Sequence, residues 1–129
     1  MSHRLTFAVL LLVSTSVGVF AQDMPRQLTG ELIRTERENC KTSTAYDMKF
    51  TNHVDVDGDG RKDVVLDYSE ASCGAEPEPY CNDQGCLLKV FLNTGGGWRK
   101  SFEGRVKSWS VDTSSGRASL LVDGHPAGK

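Results

Sequence analysis

The stretch Asp55-Val56-Asp57-Gly58-Asp59-Gly60-Arg61-Lys62-Asp63 constrains this chain more than any other. It sets four carboxylates at offsets 1, 3, 5 and 9, with glycine at offset 6. Like charges packed so closely repel one another unless a cation lies between them. A hard divalent ion takes six to eight oxygen ligands, and alternating Asp with small residues turns successive oxygens inward. Gly60 suits the sharp turn this needs, because glycine adopts positive φ without steric cost. The expected ligands are Asp55, Asp57, Asp59 and Asp63, with Arg61 contributing its main-chain carbonyl at offset 7. Ca²⁺ is favoured over Mg²⁺ because the ligands are many and all oxygen. The alternative is an acidic turn between strands, although a plain turn has no need of Asp at offsets 1 and 9.

The flanks of this run read as strands. Tyr46, Met48 and Phe50 alternate with Asp47, Lys49 and Thr51, a period of two. Val64-Val65-Leu66-Asp67-Tyr68 is short and β-branched. An EF-hand would carry a bidentate Glu at offset 12, where Leu66 stands, and an apolar residue at offset 8, where Lys62 stands. The strand–Asp loop–strand arrangement instead resembles the calcium loops of FG-GAP and VCBS-type repeats, written Asp-x-Asp/Asn-x-Asp-Gly-x-x-Asp. That resemblance implies ligand roles for Asp55, Asp57, Asp59, Arg61 and Asp63. It covers the loop and its two strands and implies no activity. With a single copy and no internal repeat, a propeller is excluded.

The first residues read as an export signal. His3 and Arg4 precede an apolar stretch from Leu5 to Phe20, and Val19-Phe20-Ala21 offers a cleavage point. The stretch is short for a membrane span and is interrupted by Ser14, Thr15 and Ser16. The expected organisation is a leader at 1–21 and one small β-rich domain at 22–129, with the cation loop at 55–63. Losing Arg4 takes the basic count from 15 to 14 against 17 acidic residues, a mild balance that argues against nucleic acid as the main partner. A periplasmic or secreted monomer without a membrane span is expected. Its partner would be a protein or glycan of the cell envelope.

All four cysteines, Cys40, Cys73, Cys81 and Cys86, follow the leader, which favours two disulfides. A zinc site is the rival, but spacings of 32, 7 and 4 residues lack paired Cys-x-x-Cys knuckles. Three pairings are open. Cys40–Cys73 with Cys81–Cys86 is preferred, since the longer bridge would tie the N-terminal segment to the strand leaving the Asp run.

Elsewhere the pattern predicts a helix from Asp23 to about Asn39, with Asp23 as cap and Pro25 in the first turn. Leu28, Leu32 and Ile33 would form its apolar edge, with Glu31, Arg34, Glu36, Arg37 and Glu38 facing water. Ser72 to Gly85 reads as a crosslinked acidic loop near which Tyr68 and Tyr80 could present a binding surface. From Cys86 the chain reads as a meander. It turns at Asn93–Gly97, at Glu103-Gly104 and at Ser114–Gly116. Trp98 and Trp109 could stack as a ligand platform, although the core is favoured for at least one of them. The fold class expected is mainly β, α+β at the margin: a short N-terminal helix plus an antiparallel sheet, held by disulfides.

This layout looks like small exported proteins of Gram-negative bacteria that pair an Asp-x-Asp-x-Asp-Gly loop with a Cys-rich loop and a Gly-rich turn. In such proteins the chain commonly continues beyond this point, which implies that an edge strand is lacking here. His125 reads as part of a loose tail. The resemblance implies no activity. Gly95-Gly96-Gly97 is not a phosphate loop, because Arg99 stands where Gly must precede Lys100. His53 reads as a strand-end surface residue, and no nucleophile motif is present. A carboxylate hydrolase could draw on Glu70, Glu76, Glu78 or Glu103, but nothing singles one out. The expectation is a non-enzymatic calcium-binding module. A small inhibitor of an envelope hydrolase, and less favourably a hydrolase, are the alternatives.

Overall fold

The computed structural model describes residues 24–127. The leader expected at 1–21 and the cap expected at Asp23 lie outside them. The described chain is mostly β, with a single α-helix, antiparallel sheets and two disulfides.

Strand β3 (Asp63–Asp67) runs through the centre, and Val64, Val65 and Leu66 are all fully buried. A β-branched run shielded on both faces needs a layer on each side. β3 pairs antiparallel with β2 (Thr51–Val54) and with β6 (Gly85–Asn93). The other edge of β6 is taken by β7 (Trp98–Val106), and β5 (Cys81–Asn82) extends the sheet on the β3 side. A second sheet is made of β8 (Trp109–Asp112), β9 (Ser119–Val122) and β10 (His125–Pro126). A two-stranded ribbon joins β1 (Ala45–Tyr46) to β4 (Ala71–Ser72).

Helix α1 (Arg26–Asn39) covers one face of the main sheet, where Leu28 packs with Phe50, Val64, Leu66, Tyr68, Tyr80 and Phe91. The small sheet covers the other face, where Leu120 meets Val56, Val65, Leu88, Val90 and Val106. The helix is thus one outer layer of three.

Several local expectations change. The alternation from Tyr46 to Phe50 is not one strand. Asp47 accepts the Lys49 N–H at 3.2 Å and turns the chain, leaving Met48 82 % exposed and Phe50 buried. β7 continues through Glu103-Gly104 instead of turning there. Gly104 pairs with Leu88, and its missing side chain leaves room for the Phe102 ring. The turn falls at Lys107-Ser108, where both N–H groups donate to Asp123 Oδ1. His125 pairs with Val122 in β10 and is not part of a loose tail. Pro25 immediately precedes the helix and does not form part of its first turn.

The preferred cysteine pairing is the one found. Cys40–Cys73 has a Cα separation of 5.6 Å and ties the helix end to the chain leaving β4. Cys81–Cys86 spans the β5–β6 hairpin at 4.0 Å. All four thiols are consumed, so no zinc site can form from them.

The helix also differs on its inner face. Ile33 is 46 % exposed, while Thr35 is buried. The reason is Lys89, whose side chain rises from β6 into the helix–sheet interface and is almost wholly buried. Its ammonium donates to Glu31 Oε1 at 2.9 Å and to Thr35 Oγ1 at 2.6 Å, and pairs with Glu103 at 3.0 Å. A buried ammonium requires such partners. They dictate which helix face turns inward, so Glu31 does not belong to the solvated face.

Tyr68 and Tyr80 are also fully buried, in a ladder of rings that runs Tyr46–Phe50–Tyr68–Tyr80 with centroids 4.6–5.0 Å apart. They form no outer surface. Trp98 packs against the helix-side core and Trp109 against the opposite one, so the two indoles do not stack.

Candidate metal centre

The aspartate run forms the turn between β2 and β3, closed where Val54 pairs with Asp63. Two anchors fix it to the core. Val56 is buried among the small-sheet residues, and Asp63 is fully buried at the start of β3. Asp63 accepts the Val56 N–H at 2.9 Å through Oδ2 and the Asn93 N–H at 2.8 Å through Oδ1. One carboxylate therefore links the loop to the end of β6.

Each remaining aspartate bends the chain around itself. Asp55 Oδ1 accepts from Gly58 at 2.8 Å and from Asp57 at 3.2 Å, and its Oδ2 accepts from Gly60 at 2.9 Å. Asp57 accepts from Asp59 at 3.2 Å, and Asp59 accepts from Arg61 at 2.8 Å. Side-chain-to-backbone bonds of this kind are the usual reason Asp favours turns. Gly58 and Gly60 take φ of 76° and 84°, which the tight winding needs.

Carboxylate oxygens from Asp55, Asp57, Asp59 and Asp63 all lie within 4.8 Å of one another. The group could hold a metal ion. Apart from Asp55 Oδ1, which accepts two N–H groups, each bonded oxygen keeps a second lone pair, so the backbone bonds do not exhaust the capacity of the group to ligate. At this spacing two bare charges repel by about 3–4 kcal/mol at an effective dielectric of about 20. The electrostatics reflect the crowding. Burial, with the charges of Asp63 and Asp59 and a side-chain hydrogen bond with Asp55, outweighs the Asp59 N–H and pushes the Asp57 carboxyl up from its ordinary value. Burial acts the same way on Asp55, but N–H groups from Gly60 and Gly58 outweigh it and hold that carboxyl down.

Arg61, expected as a ligand through its carbonyl, reaches the loop through its side chain. Its guanidinium pairs with Asp59 Oδ2 at 3.3 Å and donates to the Asn93 carbonyl at 3.2 Å. It thereby ties the loop to the glycine turn, where Gly95 lies against it. Lys62 is exposed. His53 sits on β2 opposite Val64, with its side chain at the surface.

Two residues with no sequence signal complete the site. Asn93 holds both Asp63 and Arg61 through its backbone. Arg117, some sixty positions away, donates Nε to the Asp57 carbonyl at 2.9 Å and lies over Gly58. A side chain at position 58 would collide with it. Both contacts follow from tertiary pairing alone.

Glu70, Glu76, Glu78 and Glu103 do not converge. Glu103 belongs to the Lys89 network, Glu78 accepts the Cys73 N–H at 3.1 Å, and Glu70 lies beside the β1–β4 ribbon. No helix among the described residues is long and apolar enough to cross a membrane. Comparison with known protein families, curated proteins and solved structures finds no match.

Proposed function

We propose that the 55–63 loop binds Ca²⁺ and that the chain is an exported, non-enzymatic binding module of the cell envelope. The observation that carries the cation reading is the convergence of four carboxylates on one small volume. Asp63 adds weight. It is buried at the base of the cluster, where two backbone N–H groups satisfy its oxygens but no cationic side chain among the described residues balances its charge. A loop preorganised by its own backbone bonds needs little rearrangement to accept an ion. Oxygen-only ligands of this number suit calcium better than a softer metal. The ion would cancel the mutual repulsion and lock the loop against β6 and Arg117. Two disulfides in a small domain with this leader support export.

The test is the melting temperature of the purified, oxidised chain titrated with Ca²⁺, then with EGTA, with Mg²⁺ as control. Extracellular calcium modules commonly bind at about 10⁻⁴–10⁻³ M. At a hundred-fold excess over Kd the ion stabilises by about 2.7 kcal/mol, a rise on the order of 10 °C for a domain this size. Asp57→Ala removes the calcium response. Identical melting curves in calcium and in EGTA would reduce the loop to an acidic turn.

A further inference from the structure

We propose that the cleft beside the aspartate loop binds a small amphipathic carboxylate. The cleft has a volume of about 350 Å³ and opens between β7, the β8–β9 hairpin and the loop. Val56, Leu92, Phe102 and Leu120 give it an apolar lining, and Val56 and Leu120 are themselves core residues. It is an open cleft whose volume lies at the lower end of the range for small-molecule sites, in which a few polar groups fix the ligand's orientation.

Its basic group is Arg117, exposed at the mouth of the cleft, which Ser101, Ser115, Ser119 and the acidic Asp57 also line. Its Nε bond to the Asp57 carbonyl holds the guanidinium in place. Among the described residues it forms no ion pair. An arginine that only stapled the loop would need no more than that one N–H. Its remaining donors form a planar fork that matches a carboxylate. An alkyl or aromatic body fits the apolar lining while the carboxylate meets Arg117. A neutral apolar ligand would leave the fork unused. The site goes beyond the cation reading and does not require it, because lining and arginine are in place regardless. A cation in the loop would add to it by neutralising Asp57 at the edge of the cleft.

The test uses octanoate as probe on the ¹⁵N-labelled, oxidised chain, in calcium and again in EGTA, with octan-1-ol as uncharged control. Octanoate should shift the amides of Val56, Ser101 and Leu120 saturably, and octan-1-ol should bind at least about tenfold more weakly, the step that 1.4 kcal/mol represents. Arg117→Gln should weaken octanoate about tenfold while leaving octan-1-ol unchanged, which also reports that the variant is folded. Ser101→Trp, made from the exposed surface of β7, should block both ligands. Scattered or non-saturating shifts, equal binding of acid and alcohol, or an Arg117→Gln variant as tight as the native chain would each overturn the proposal. Octanoate binding that ignores calcium, in a chain whose stability also ignores it, would sink the cation reading alone.

Discussion

Replacing Glu31 by Gln tests whether the buried lysine organises the helix–sheet interface. Burial opposes ionisation of Glu31, but hydrogen bonds from Arg34, Lys89 and Lys100 outweigh it and hold its carboxyl at about 2 instead of 4.5. One pH unit of such a shift corresponds to about 1.4 kcal/mol, so the full effect is about 3.5 kcal/mol. The Glu31 side chain is 16 % exposed, and Arg34 is half in water, so screening trims this to about 2 kcal/mol. The sign follows from linkage. A carboxyl depressed in the folded state contributes fully above its unfolded value near 4.5, and its contribution fades as pH falls towards 2. Urea unfolding of native and Glu31→Gln chains should therefore differ by about 2 kcal/mol at pH 7, and the gap should close between pH 4.5 and 2. Glu103 is also held down by Lys100 and Lys89 and shares both ammoniums with Glu31, so the comparison is repeated in a Glu103→Gln background to isolate the Glu31 contribution. A gap that is absent at pH 7, or that persists undiminished at pH 2, would refute the reasoning.

Other outcomes follow from single contacts. Replacing Cys40 and Cys73 together by Ala should cost about 3–4 kcal/mol by chain entropy, against about 2 kcal/mol for Cys81 and Cys86, as read by denaturant midpoint. The two buried tyrosines should behave oppositely. Among the described residues the Tyr68 hydroxyl has no hydrogen-bond partner, and Thr35 beside it is already engaged with Glu31 and Lys89, so Tyr68→Phe should be neutral or stabilise by up to about 1 kcal/mol. Tyr80→Phe breaks a 2.6 Å bond with Thr44 and should destabilise by about 1 kcal/mol in the same assay. Gly58→Ala should cost about 1–3 kcal/mol in thermal unfolding, because it combines positive φ with a clash against Arg117.

The sequence alone was enough for features whose causes are local. The four aspartates converge because their offsets wind them about one point, and the backbone bonds that hold them span five residues or fewer, apart from those to Asp63. Val64-Val65-Leu66 announces a strand, and the turns at Asn93–Gly97 and Ser114–Gly116 announce themselves through glycine. The disulfides were legible as a number, while their pairing remained a preference among three. What the sequence could not supply depends on what lies opposite. The alternation at Tyr46–Phe50 satisfies a strand, yet a bond from Lys49 N–H to the Asp47 side chain breaks it. Gly104 reads as a turn until Phe102 needs the space above it. Lys89 lies in an apolar strand as any surface lysine would, and only the arrival of Glu31 and Thr35 from a helix more than fifty residues away compensates its burial. Arg117 meets the aspartate loop for the same reason: strand pairing brings the β8–β9 hairpin there. Local chemistry determined where a cation could sit. Only long-range packing decided which charges are buried, which aromatics form the core, and that a cleft lies beside the loop.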